Sequence, residues 1–133
     1  MRVVLDTNIF VSAVIREDST SARAIGAVID KHRLLVSEAT KQELVQVLER
    51  PKIARFVSIR FVAWLSKVFS IMELITITET VTDCRDKKDN KFLELAISGH
   101  ADLIISIDND LLVLHPFRGM PILTPNQFLA LAD

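Results

Sequence analysis

Short, unbroken runs of apolar residues recur along this chain and are separated by longer segments with helical periodicity. The clearest runs are residues 2–5 and 103–107, which read Arg-Val-Val-Leu and Leu-Ile-Ile-Ser-Ile. A strand that is apolar at consecutive positions is buried on both faces, as in a parallel sheet covered by helices on each side. Alternating strands and helices of this kind predict a three-layer α/β/α sandwich with a mostly parallel central sheet of four or five short strands.

The same patterns give a full set of predicted elements. Strands are predicted at residues 2–5, 33–36, 74–77, 103–107 and 121–123. Helices are predicted at residues 8–16, 20–31, 38–49, 52–57, 59–72, 87–99, 109–114 and 125–132, with a loop at 78–86. The last helix has the strongest start signal, because Thr124 suits the cap, Pro125 suits the first helical position and Gln127 follows three residues after the cap.

The chain is predicted to form one domain. Its 133 residues include 50% hydrophobic residues, and no internal repeat, low-complexity tract or linker interrupts residues 1–133. Cys84 is the only cysteine, so an intrachain disulfide is impossible and a reducing compartment is expected. No apolar run approaches the length of a membrane span, so we expect a soluble, cytoplasmic protein without a membrane partner.

Carboxylates follow two of the predicted strands. Asp6 comes directly after the first strand, and Asp108 follows the strand 103–107, with Asp110 two residues further on. Parallel strands bring their carboxyl ends to one edge of the sheet, where open α/β sheets place their active sites. Carboxylates gathered at one place repel one another unless protons or a cation relieve the repulsion. Oxygen ligands without a histidine or cysteine cluster favour magnesium or manganese over zinc, so the pattern predicts a site for one of these hard cations.

Two helical acids are candidates for the same site. Glu43 borders the apolar stripe of the helix 38–49, and Asp89 heads the buried stripe of the helix 87–99. Asp86, three residues earlier, competes with Asp89 for the role. The acids that we expect to converge at the sheet edge are Asp6, Glu43, Asp89 and Asp108.

Each acid also has an ordinary structural explanation. The acids that follow strands can cap the next helix or form turns. Asp86 can cap its helix, with Asp89 as an acid of the first turn. Glu43 can be solvated or paired with Lys41 or Arg50 on neighbouring positions. The prediction of a site therefore depends on the whole set of acids and not on any single one.

Two further surfaces are candidates for partner binding. The formal net charge is −1, so local basic clusters or a metal must hold any nucleic acid. Basic residues gather beside the Glu43 and Asp89 helices. Such runs are usually solvated faces, but their position here also allows contact with phosphate. These residues are Arg50, Lys52, Arg55 and Arg60, and then Arg85, Lys87, Lys88 and Lys91. An apolar stripe on the predicted helical hairpin is larger than a surface hairpin needs. Core packing explains part of it, and a partner or dimer contact is the expectation for the rest. Its members are Phe56, Ile59, Val62, Trp64, Leu65, Val68 and Phe69.

The chain resembles the PIN-domain family of metal-dependent ribonucleases, in particular the small PIN proteins that are toxin components of bacterial and archaeal toxin–antitoxin pairs. The markers of the resemblance are Asp6-Thr7-Asn8 after the first strand, Glu43 in the third helix, Asp89 within residues 86–96, and Ser106 to Leu112. Residues 115–125 also look like this subgroup. The markers follow the family's order over nearly the whole chain.

The resemblance implies hydrolysis of RNA phosphodiester bonds with Mg²⁺, or with Mn²⁺. It implies that the catalytic residues and metal ligands are Asp6, Glu43, Asp89 and Asp108. It makes Asp110 an auxiliary acid, and it implies that Asn8 and Ser106 orient carboxylates or water by hydrogen bonds. The family is also described as forming homodimers and as being inhibited by a small antitoxin protein, so both partners are expected here.

Two other functions are compatible with parts of the pattern. A phosphotransferase of the haloacid-dehalogenase type also begins with a strand and an aspartate. It needs a second acid two positions later, where this chain has Asn8, so it is disfavoured. A catalytically inactive PIN-like scaffold or RNA-binding module would keep the same core, and the complete set of four acids argues against it.

Overall fold

The computed structural model describes residues 1–131 and has a five-stranded, all-parallel sheet at its centre. The strands are β1 (Arg2–Leu5), β2 (Arg33–Val36), β3 (Glu73–Leu74), β4 (Leu103–Ile105) and β5 (Ile122–Leu123). They lie in the order β3-β2-β1-β4-β5, and every neighbouring pair is parallel. The predicted parallel sheet is confirmed.

Eight α-helices connect and flank these strands within residues 1–131. They are α1 (Thr7–Ile15), α2 (Thr20–Lys31), α3 (Glu38–Leu48), α4 (Pro51–Ala54), α5 (Ile59–Ile71), α6 (Asn90–Ser98), α7 (Asn109–Leu112) and α8 (Pro125–Leu131). A short 3-10 turn, Lys87–Asp89, leads into α6. The predicted start of α8 is confirmed by reciprocal hydrogen bonds between Thr124 and Gln127. That helix was predicted to reach Ala132, which lies outside the described residues. None of the helices in the described part of the chain is both long and apolar enough to cross a membrane.

The apolar side chains form two cores, one on each face of the sheet. In β1, Val3 and Leu5 face one core and Val4 faces the other, because successive side chains of a strand point to opposite faces. The first core includes residues from α1, α2, α3, α5 and α8. The second includes residues from α6 and α7. The fold is therefore the predicted three-layer α/β/α sandwich.

Two strands are two residues shorter than predicted because their neighbours end first. The predicted strand 103–107 stops at Ile105, where its partner β1 ends at Leu5. The predicted strand 74–77 is Glu73–Leu74 at the edge of the sheet. Ile75 still donates its N–H to the carbonyl of Val36 at 2.7 Å, but β2 ends there and offers no further pairing. Similarly, the predicted helix 52–57 is confined to α4, Pro51–Ala54.

The strand order reverses direction next to β1. The chain moves outward from β1 to β2 and β3, and then returns across the sheet to β4 on the other side of β1. Helices α1 and α2 cover one face on the outward path, and α6 covers the opposite face on the return path. Such a reversal opens a crevice beyond the carboxyl ends of the two central strands, which is the usual ligand position in open α/β sheets. Here those strands are β1 and β4.

Candidate metal and catalytic site

Asp6 lies at the carboxyl end of β1 and is almost completely buried, with 2% of its surface exposed. Its Oδ1 accepts a hydrogen bond from the backbone N–H of Asn8 at 3.2 Å, so Asp6 caps helix α1. Its Oδ2 accepts a hydrogen bond from the hydroxyl of Ser106 at 2.8 Å. Asp6 therefore performs the ordinary capping role and also places a fixed carboxylate beyond the carboxyl ends of β1 and β4.

Ser106 connects the two strand ends. Its fully buried hydroxyl donates to Asp6 and accepts from the backbone N–H of Asp108 at 2.9 Å. Asp108 in turn accepts a hydrogen bond from the N–H of Asp110 at 2.9 Å and caps α7. One hydroxyl group thus sets the relative position of two acids that come from opposite ends of the sequence.

Asp89 lies at the start of α6 with its side chain turned inward. It is 9% exposed, and its Oδ2 is buried without a hydrogen-bond partner among the residues described. Carboxylate oxygens of Asp86, Asp89 and Asp110 all lie within 4.8 Å of one another. Asp86 is half-buried and caps the 3-10 turn by accepting from the N–H of Lys88 at 3.1 Å. Asp89 is therefore the more deeply buried of the two competing acids, and Asp86 stays beside it.

Two carboxyl groups of this crevice, those of Asp6 and Asp89, hold their protons unusually strongly. Burial raises the pKa of Asp6 to about 6, although hydrogen bonds from Ser106 and Asn8 partly oppose the effect. The pKa of Asp89 is raised to about 7, and burial is the largest cause. The next cause is a hydrogen bond with Asp108, which exists only while one of the two groups is protonated. The negative charges of Asp108 and Glu43 act on Asp6, and those of Asp108, Asp6 and Asp86 act on Asp89. The acids therefore share one electrostatic environment.

Glu43 enters this environment from α3 and is held by two side chains. Thr7 donates its hydroxyl to Glu43 Oε2 at 2.5 Å, and Lys91 Nζ lies 2.9 Å from Glu43 Oε1. The sequence suggested Lys41 or Arg50 as ionic partners, because both are near Glu43 on the same segment. The structure gives Lys91 from α6 instead, and Lys41 lies over the ring of Phe69.

Three contacts at the site were not anticipated from the sequence. In the sequence, Thr7 was noted only as part of the Asp6-Thr7-Asn8 marker, and Lys91 only as one member of a basic cluster. The guanidinium of Arg85 forms two hydrogen bonds with the carboxylate of Asp110, at 2.8 and 3.0 Å. Asn8 contacts Asp6 through its backbone, while its own side chain is exposed. The positions of Thr7 beside Asp6 and of Lys91 two residues after Asp89 were the available signals.

The donor set fits a hard divalent cation. Every group is a carboxylate or hydroxyl oxygen, which Mg²⁺ and Mn²⁺ prefer. The buried and unpartnered Oδ2 of Asp89 is costly to ionise without a counter-charge, and a cation would supply one. The raised pKa values of Asp6 and Asp89 agree with this, because burial disfavours their charged forms and neighbouring carboxylates add to the effect.

The fold and this site together define an α/β protein with a cluster of acidic side chains at the switch point of a parallel sheet. The family model of the PIN domain matches residues 2–110, and the chain belongs to the PIN-domain family. The family expected from the sequence is therefore confirmed.

Known proteins of similar sequence or fold come from several organisms. The chain is 27% identical over 117 residues to the uncharacterized protein MJ1680 of Methanocaldococcus jannaschii, covering 86% of this chain and 75% of that protein. PAE2754 from Pyrobaculum aerophilum has a similar fold, with a TM-score of 0.61, 17% identity, and coverage of 99% of this chain and 90% of that one. VapBC2 from Rickettsia felis, bound to a DNA fragment from its promoter, also has a similar fold. The TM-score is 0.60 and the identity 14%, with coverage of 92% of this chain and 97% of that one.

Proposed function

We propose that this chain is a metal-dependent ribonuclease that hydrolyses RNA phosphodiester bonds and serves as the toxin component of a toxin–antitoxin pair. The observation that carries the proposal is the buried carboxylate of Asp89, whose Oδ2 has no partner among residues 1–131. It lies among other acids at the switch point of a PIN-domain fold. A buried carboxylate oxygen without a partner is costly in free energy, and a bound catalytic cation would explain its presence.

In this proposal, Asp6, Asp89 and Asp108 hold Mg²⁺ or Mn²⁺, and Glu43 completes the acidic quartet. The bound ion would supply activation of a water molecule and neutralisation of charge on the scissile phosphate. Ser106 keeps Asp6 and the backbone of Asp108 in register, so that the ligands need little reorganisation. Asp86 and Asp110 add negative charge beside Asp89, with Arg85 holding Asp110 in place.

RNA would reach the crevice along the basic residues beside it. Lys87 and Lys88 are exposed on the turn that presents Asp89, and Arg50, Lys52 and Arg55 are exposed around α4. Exposed lysine and arginine side chains bind phosphates without reading the sequence of bases. They compensate locally for a chain whose net charge is −1. We therefore expect the affinity for RNA to fall as the salt concentration rises.

The antitoxin and a second copy of the chain are the proposed protein partners. Helix α5 exposes Ile59 and Val62, and a cleft of about 270 Å³ lies between α1, α2 and α5. The fold neighbour VapBC2 supports an antitoxin partner by analogy of fold. An apolar surface of this kind is typical of an interaction site in a folded protein.

Cleavage of RNA by the purified chain tests the proposed activity. We expect single-stranded or loop RNA to be cut with Mg²⁺ or Mn²⁺ and to remain intact with excess chelator. Asp89→Asn is the matched variant, because it keeps the shape of the side chain and removes its charge. Cleavage that continues in excess chelator would exclude the proposed mechanism. Tight RNA binding without any metal-dependent cleavage, over a broad set of RNAs, would favour the inactive RNA-binding module.

A further inference from the structure

Glu43 differs from the other acids of the quartet in having a cationic partner. Lys91 Nζ lies 2.9 Å from Glu43 Oε1, and their side chains are only 25% and 20% exposed. For residues 1–131, the structure assigns no such ion pair to Asp6, Asp89 or Asp108. The negative charge of Glu43 is therefore already balanced within the protein, whereas the charges of the other three acids are not.

We propose that the Lys91 ammonium group takes the place of a second divalent ion, so that the site holds one Mg²⁺ or Mn²⁺ and not two. This rests on the proposed metal site in assigning that ion to Asp6, Asp89 and Asp108. Glu43 and Lys91 then form a fixed ion pair at its side. Lys91 is a positioning residue, which acts through the carboxylate that it holds.

The contacts of Glu43 leave little room for a second ion. Its Oε2 accepts from the Thr7 hydroxyl at 2.5 Å and its Oε1 contacts Lys91, so both oxygens are engaged by side chains. Mg²⁺ needs ligand oxygens at roughly 2.0–2.1 Å in near-octahedral geometry. An ion bound to Glu43 would have to displace one of these donors or lie close to an ammonium group of like charge. Either event weakens its binding.

The partial burial of the ion pair strengthens this effect. Charges that are shielded from water interact through a lower effective dielectric constant, so that the attraction between Lys91 and Glu43 exceeds that of an exposed pair. The repulsion between Lys91 and an incoming second cation grows for the same reason. Lys91 also follows Asp89 by two residues. The start of one helix therefore supplies a carboxylate for the proposed metal ion and an ammonium group where a second ion would otherwise bind.

Counting bound Mn²⁺ in the absence of RNA tests this proposal. Isothermal titration calorimetry gives the stoichiometry, and electron paramagnetic resonance detects spin coupling between two adjacent Mn²⁺ ions. We expect one Mn²⁺ per wild-type chain and no coupled pair. Lys91→Met keeps the aliphatic stem but frees Glu43, so it should bind a second Mn²⁺ at least about tenfold more tightly than the wild type does. Lys91→Arg, which keeps the charge, should stay at one.

Two further variants show whether the second ion uses Glu43. The double variant Lys91→Met/Glu43→Gln should return to one Mn²⁺ per chain. Lys88→Met removes an exposed positive charge from the same segment and should leave the count at one, because Lys88 lies outside the Glu43 ion pair. Lys91→Gln also removes the charge and should bind a second Mn²⁺, as Lys91→Met should. Circular dichroism of Lys91→Met and Lys91→Gln checks that both remain folded.

Each result is decisive. Two Mn²⁺ ions on the wild type, or a single ion on folded Lys91→Met and Lys91→Gln, would overturn the role assigned to Lys91. No Mn²⁺ on the wild type would overturn both the metal site and this proposal. A count of one without RNA cleavage would count against the ribonuclease function alone, since the count is made without RNA.

Discussion

The carboxyl edge of the sheet and the outer face of α5 break the usual distribution of residues in opposite ways. At the sheet edge, ionisable groups are buried, with Asp6 and Asp89 almost fully enclosed. On α5, apolar groups are exposed, and Ile59 is 90% accessible. Folding alone favours neither arrangement, because burying charge and exposing apolar surface both cost free energy. Departures of this kind are concentrated at functional sites.

The two regions differ in how their side chains are held. The acids at the sheet edge are fastened by specific hydrogen bonds, such as those from Ser106 to Asp6 and from Thr7 to Glu43. Ile59 and Val62 on α5 lie at the surface, where no specific contact is needed to hold them. Ion binding needs precise ligand positions, whereas an apolar interface needs mainly accessible area and complementary shape. The difference suggests chemistry at one region and association at the other.

Replacing Asp6 by asparagine should have the largest effect. The change removes one proposed metal ligand, so cleavage should fall by more than roughly 100-fold, the upper range for losing only an outer-shell partner. Asparagine can still accept from the Asn8 N–H and donate to Ser106, so the fold should be kept. Without metal, at about pH 8, the free energy of unfolding should rise by about 1–3 kcal/mol, because a buried charge disappears.

Parallel measurements separate the two roles of Asp6. Thermal unfolding without metal reports the electrostatic cost, and RNA cleavage with Mg²⁺ reports the catalytic role. A variant that cleaves RNA at the wild-type rate would show that Asp6 serves only as a helix cap.

The stability of the metal-free protein should fall as pH rises from about 4 to 8. The folded-state pKa of Asp6 is raised from 3.8 to about 6, so the folded protein retains its proton longer than the unfolded chain does. Stability from this group is therefore fully present below 3.8 and is lost as pH rises through about 6. Each pKa unit corresponds to about 1.4 kcal/mol, so the loss approaches about 3 kcal/mol. Asp89 contributes in the same direction, through about pH 7.

Melting temperatures measured with and without Mg²⁺ test this dependence. Mg²⁺ should restore stability at about pH 8 and have little effect at about pH 4, because protonated acids bind it weakly. Asp6→Asn should show a flatter pH profile than the wild type. If the stability of the metal-free protein instead increases steadily from about pH 4 to 8, the raised pKa values of Asp6 and Asp89 are contradicted.

Ser106→Ala should have an intermediate effect. It leaves Asp6 Oδ2 and the N–H of Asp108 without their partner, and an unsatisfied buried group costs about 1–3 kcal/mol. We expect a loss of about 2 kcal/mol at about pH 8, measured by urea unfolding. Ser70→Ala on α5 is the matched control, because its hydroxyl contacts the carbonyl of Lys67 at an exposed position. Equal losses for both variants would mean that Ser106 has no special role.

Ile59→Ser should have the smallest effect on folding. Its side chain is exposed, so the free energy of unfolding should change by less than about 0.5 kcal/mol. Association should nevertheless weaken, which analytical ultracentrifugation would detect for a homodimer and co-purification for an antitoxin. Val68→Ala, at a buried position of the same helix, should cost about 2 kcal/mol. A comparable loss for Ile59→Ser would place Ile59 in the core.

The sequence predicted the elements better than their contacts. Apolar runs revealed all five strands, because a doubly covered strand must be apolar at consecutive positions. The end of β4 at Ile105 was not predictable from its own residues, since it depends on where β1 ends. The pairing of β1 with β4 could not be predicted from the sequence either, because strand order is set by packing between distant segments.

The candidate site shows the same limit. The inward direction of Asp89 followed from helical periodicity, which is a local property. The pairs Glu43–Lys91 and Arg85–Asp110 join residues that are 48 and 25 positions apart. Proximity in the sequence suggested Lys41 or Arg50 for Glu43, but neither lies three or four residues away, which is the spacing of facing side chains on a helix. Only the packing of α3 against α6 brings Lys91 to Glu43.

The hydrogen bond from Ser106 to Asp6 determines how late in synthesis and folding the cluster of acids can form. It bonds Asp6 across a separation of 100 residues, so the crevice cannot form until β4 has docked beside β1. A chain emerging during synthesis would already contain Asp6 and Glu43, yet it would have neither the buried enclosure nor the companion acids. Contacts between distant segments form late, after loop closure has been overcome. Any chemistry that depends on these acids therefore has to wait until the chain has been made as far as Asp108 and β4 has docked.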